Sequence, residues 1–162
     1  MLNDTRPIVR TKEAFLALTK LHEIMEWALH DFDLAAANPK YRIAMNTWYQ
    51  EQTQDHPCLV CFAGAVIAYT LSPEWYRNAP WFAPGVVTGY TPGVSHMLAL
   101  NSLRRGLVAD AWIAMHGYDS LESPDHRTAR ALNRGVVSYA DSPSIWRRQM
   151  DKLQRDLREA DL

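Results

Sequence analysis

The sequence predicts an all-α fold: one domain across residues 1–162, about six to seven helices packed around a central apolar helix, with one long Pro/Gly/aromatic loop. Three observations predict it. Ser-Pro recurs at Ser72-Pro73, Ser123-Pro124 and Ser142-Pro143, each time setting a capping hydroxyl before a proline that suits the first helical turn. Apolar residues recur at steps of three and four from Thr11 to Leu34, the period of an amphipathic helix. An apolar run, Cys58 to Leu71, follows Pro57, another proline suited to a helix start.

The elements follow in chain order. Phe15, Leu18, Leu21, Met25, Leu29 and Phe32 line one face of the first helix. Thr11 is its candidate cap, and Asn38-Pro39 closes the segment because proline disfavours helical geometry in the residue before it. Residues 41–56 keep neither period, although Tyr41, Ile43 and Met45 alternate as a short strand or extended link would. The run after Pro57 is apolar on nearly every side and reads as the central buried helix, with Ala63, Gly64, Ala65 and Ala68 admitting close neighbours. A short helix over Ser72 to Asn78 leads into APWFAPGVVTGYTPG, three prolines and three glycines in fifteen residues, which is a loop. Gly106, Gly117 and Gly135 each follow a periodic stretch, as left-handed helix caps do. The last helix, within residues 142–161, carries Trp146, Met150, Leu153 and Leu157 in a narrow stripe flanked by charge.

The 162 residues are 48% hydrophobic and 22% charged, the profile of an ordinary globular chain that buries roughly 70% of its unfolded surface. Seventeen basic against eighteen acidic residues give a net charge of −1, which excludes a general electrostatic field for nucleic acid or anionic membrane. The balance is uneven along the chain. From His56 to Leu103 only Glu74 and Arg77 are charged, whereas residues 104–162 carry ten basic and nine acidic side chains. No apolar run reaches the 18 or so residues of a membrane span and Met1 to Arg10 lack the apolar core of a signal peptide, so a cytoplasmic location with reduced thiols is expected.

Cys58 and Cys61 are the one motif that suggests chemistry. At a helix start, with His56 just before, Cys58 would have a thiol pKa lowered by the helix dipole, the arrangement of a redox Cys-x-x-Cys. A zinc site would need His56, His96 or His116 to complete the ligand set. Against both stands the packing role of free cysteine, a small hydrophobe that is commonly buried. His22, Glu26 and His30 repeat every four residues along the first helix and read as a solvated polar face. A zincin helix, a phosphate-binding glycine loop and a nucleophile elbow are all missing. No cofactor is expected.

Trp75, Tyr76, Trp81, Phe82 and Tyr90 gather on the long loop and the helix before it, with Arg77 supplying a cation. Such rings either roof the core or form rigid binding hot spots that also stack on planar ligands. The stripe Trp146, Met150, Leu153, Leu157 matches either a coiled-coil seam for a homodimer or a face docked on the chain's own core.

Met45, Trp48, Pro57, Cys58, Cys61, Ala63 and Gly64, followed by Leu100-Asn101, Arg104 and Gly106, resemble a pattern in small uncharacterised bacterial and phage proteins: a Met/Trp pair, then a Cys-x-x-Cys-x-Ala-Gly helix start. The likeness covers about a quarter of the chain and implies a phage or prophage accessory protein. The function expected is a non-catalytic binding protein that inhibits a host defence component by protein contact. Two alternatives accompany it: sequestration of a nucleotide-like ligand by the aromatic loop, and thiol or zinc chemistry at Cys58 and Cys61.

Overall fold

The periodic segment from Thr11 folds as two helices rather than one: α1, Lys12–Leu16, and α2, Leu21–Ala37. Thr11 caps α1 as expected, its hydroxyl accepting from the Ala14 N–H at 3.1 Å. The break comes from tertiary contact, because the buried His96 ring takes the Leu18 carbonyl at 2.7 Å and holds the chain in a turn. Asn38 ends α2 in an extended conformation just before Pro39. The computed structural model describes residues 10–78, 93–104, 107–116 and 137–162, and the fold is drawn from these.

Three short strands follow: β1, Tyr41–Ile43, β2, Tyr49–Gln50, and β3, Cys58–Val60. They form a mixed sheet in the order β1-β3-β2, with β1 parallel and β2 antiparallel to β3. The all-α expectation is therefore corrected: the chain is an α/β fold, helix-rich with a small three-stranded sheet. The error sits at Pro57. An apolar run of a few residues has the same composition whether it is a central strand or a buried helix, and proline is as acceptable before a strand as at a helix start. Here Cys58 to Val60 are extended and hydrogen-bonded on both edges, and the central helix begins only at Phe62.

That helix is α3, Phe62–Tyr69, and Phe62 to Ile67 are all buried. Helix α4, Pro73–Arg77, starts as the Ser-Pro punctuation predicts, with the Ser72 hydroxyl accepting from the Trp75 N–H at 3.1 Å. Helices α5, Val94–Leu103, and α6, Val108–His116, pack on each other. Helix α7, Pro143–Glu159, is capped by Ser142 in the same way as α4. Ser123-Pro124 and the glycines at 106, 117 and 135 lie outside the described residues.

One hydrophobic cluster runs from Phe15 to Leu162. At its centre Phe32, Phe62, Tyr139 and Trp146 meet with ring centroids 5.0–6.1 Å apart, joining α2, α3 and α7. Trp146, Met150, Leu153 and Leu157 are at most 3% exposed within this cluster, so the stripe that resembles a dimer seam is occupied by the chain's own core. Among the described residues no helix is long and apolar enough to cross a membrane.

Candidate functional site

The Cys-x-x-Cys pair is split between two kinds of structure. Cys58 opens β3 and Cys61 is the N-cap of α3, its Sγ accepting from the Gly64 N–H at 3.3 Å. Three residues of extended chain put the two Cα atoms about 10 Å apart, beyond the 7 Å or so that a disulfide tolerates. Burial pushes both thiols above the ordinary cysteine value, most directly for the fully buried Cys61, so the lowered pKa expected of Cys58 is not found. Cys58 also hydrogen-bonds with the Tyr49 hydroxyl across the sheet. His56 sits with Nδ1 at 2.7 Å from the Pro57 carbonyl. Among the described residues no three His, Cys, Asp or Glu side chains are arranged to hold a metal.

The residues around the motif are tightly packed. A Cβ on Gly64 would come within 1.7 Å of the Trp48 carbonyl oxygen, so α3 approaches the backbone before β2 at a distance only glycine allows. Trp48 of the Met/Trp pair thus meets the Cys-x-x-Cys-x-Ala-Gly helix start through its backbone at Gly64, while the Met45 and Trp48 side chains pack on the core and Cys61 caps the helix.

Of the aromatic group, Trp75 and Tyr76 lie on α4, half-buried against the core, and Tyr76 faces Tyr49 at 6.4 Å. Trp75 also packs on Gly93, whose φ of 87° suits glycine alone at that contact. Arg77 is exposed but committed, donating to Glu51 at 2.8 Å and Glu74 at 3.3 Å. Trp81, Phe82 and Tyr90 lie outside the described residues.

A larger feature is built from α2 and α7. An open groove of about 710 Å³ runs between them. Leu18, Trp27 and Leu29 contribute apolar surface to it, and Glu23, Glu26, Asp33 and Asp151 contribute four carboxylates. Arg147 reaches across from α7 to Asp33 at 2.8 Å and also holds Asp151 at 2.6 Å, while Arg158 takes Glu26 at 3.0 Å. These two ion pairs bridge α2 and α7. The Arg147 guanidinium is held above its ordinary value, first by its hydrogen bond to Asp33. The Glu23 carboxylate makes no hydrogen bond or ion pair with another described residue.

At one end of the groove a buried polar chain begins. Asp31 is 1% exposed, and burying a carboxylate is costly unless it is paired. Arg10 donates to Asp31 Oδ1 at 2.5 Å and the Thr70 hydroxyl donates to Oδ2 at 2.6 Å. The Trp27 indole N–H in turn donates to Thr70 at 2.8 Å. The Arg10 guanidinium carbon lies 4.3 Å from the Trp27 ring centroid, and Nη2 also reaches the Trp27 carbonyl at 3.2 Å.

The structure thus gathers His22, Glu26 and His30 at the groove, with Arg10, Glu23, Asp33, Arg147, Asp151 and Gln154, which no sequence motif singles out. The spacing of His22, Glu26 and His30 signals a common face; only the fold shows that a second helix walls it. It keeps the aromatics of α4 and the two cysteines away from the lining. No family model, curated protein or solved structure matches the chain.

Proposed function

We propose that the chain is a non-catalytic binding protein that works through protein–protein contact, as a phage or prophage accessory factor that inhibits a host defence component. The resemblance around Cys58 to Gly64 supports the biological setting. The α2/α7 groove carries the mode of action. Its volume, about 710 Å³, lies in the range of ligand sites, and its walls set apolar surface from Leu18, Trp27 and Leu29 beside carboxylates from α2 and α7 and the guanidinium groups of Arg10 and Arg147. Such a lining suits a charged polypeptide segment, for which fixed charges supply orientation and specificity.

The test is capture of a partner from host lysate on the tagged full chain, then reconstitution with that partner purified. A stoichiometric complex that weakens when groove carboxylates are neutralised is the expected result. A chain that retains no protein, or whose Tm rises with added nucleotide, speaks against it, since a ligand that binds only the folded state raises Tm.

A further inference from the structure

We infer that the α2/α7 groove docks an arginine-bearing segment of a partner protein, whose guanidinium takes the seat that Arg10 fills in the free chain; this rests on the protein-contact reading above. The seat has three complementary parts. Asp31 presents one oxygen to the guanidinium while Thr70 fixes the other. The Trp27 ring lies under the planar group at 4.3 Å, and the Trp27 carbonyl accepts a further bond. A carboxylate, an aromatic face and a carbonyl together recognise a planar cation, which a lysine ammonium matches less well.

The occupant is only partly enclosed. The Arg10 side chain remains 30% exposed, whereas that of Asp31 is 2% exposed, so the recognising group is built in and the cation sits at the open side. The groove continues from this seat along α2 and α7. Seat and walls together hold five carboxylates, Glu23, Glu26, Asp31, Asp33 and Asp151, against Arg10, Arg147 and Arg158. The excess of negative charge favours a cationic occupant, and Glu23 is the carboxylate with no partner among the described residues. Arg10 competes from within the same chain, so the free protein is self-occupied and an incoming arginine binds more weakly than it would to an empty seat.

Fluorescence anisotropy with a short labelled peptide, one arginine among serines and glycines, tests this against a citrulline counterpart of equal shape and no charge. Arg10→Lys weakens the internal competitor while keeping its charge, and should bind the arginine peptide at least about fivefold tighter than the wild type. The citrulline peptide should show no such gain. Equal affinity of wild type and Arg10→Lys, or an equal gain for citrulline, overturns the exchange. Should Arg10→Lys fail to fold, Glu23→Lys on the wild-type chain decides: binding should fall at least about threefold, and unchanged binding overturns the groove as the docking site. Capture of a host partner that neither substitution alters overturns the groove assignment and leaves the protein-contact reading standing.

Discussion

The junction of β3 with α3 and the groove between α2 and α7 are opposites. In the sequence the junction suggests chemistry, a Cys-x-x-Cys beside a histidine, while the groove reads as an ordinary polar helix face. In the fold the junction is tightly packed: Cys61 is fully buried, both thiols are pushed up by burial, and Gly64 lies against the Trp48 backbone. The groove holds a concave surface, a carboxylate without a partner among the described residues, and a guanidinium on a prepared seat. Reactive residue types are a poor guide when the backbone that carries them is extended and buried, because nucleophilicity needs a stabilised thiolate and access. Binding potential depends instead on what another element adds opposite a face, which one helix's periodicity cannot reveal.

The contrast can be broken most sharply at Gly64. Gly64→Ala should destabilise the chain by more than about 4 kcal/mol in urea denaturation, since the new methyl overlaps a backbone carbonyl rather than a movable side chain. Mild destabilisation would mean that the two segments do not meet as described. Trp146→Ala should cost about 3 to 4 kcal/mol by the same measurement, because the ring is fully buried against Phe32 and Phe62. Arg148→Ala, on the exposed side of α7, should change stability by less than about 0.5 kcal/mol.

A thiol reagent sharpens the comparison without a mutation. Cys58 and Cys61 should react slowly in native buffer and fast in denaturant; rapid labelling of the native chain would show that the junction is open. A pH series reports on the turn between α1 and α2. Burial holds His96 below the ordinary histidine value, so between its folded value and 6.5 the unfolded chain binds more protons than the folded one. Its contribution is therefore complete above about pH 6.5 and is lost as the pH falls below it. The urea midpoint should drop on acidification, and His96→Gln should flatten that slope. Glu23→Lys should change stability by less than about 1 kcal/mol, a helix-dipole effect, despite its effect on binding.

Legibility followed the range of the interactions. Local chemistry was readable: Thr11, Ser72 and Ser142 cap helices where the hydroxyls stand in sequence, and Asn38-Pro39 ends α2. Tyr41 and Ile43 alternate as the strand β1 requires. The rest was set by contacts distant in sequence. Cys58 to Val60 are a strand because β1 and β2 supply partners, and α1 stops because His96, 78 residues on, takes the Leu18 carbonyl. The stripe of Trp146, Met150, Leu153 and Leu157 has the same spacing whether it meets another copy or its own core, so periodicity could not choose between them. The groove was least visible, since Arg147 and Asp33 lie 114 residues apart.

If the α2/α7 groove is the working surface and the cysteine motif is packing, one experiment separates them directly: capture of the same partner by Cys58→Ala and by Glu23→Lys, each checked for folding. Wild-type affinity is expected for Cys58→Ala, and at least about threefold weaker binding for Glu23→Lys. Weakened binding by a folded Cys58→Ala alongside wild-type binding by Glu23→Lys would contradict both assignments.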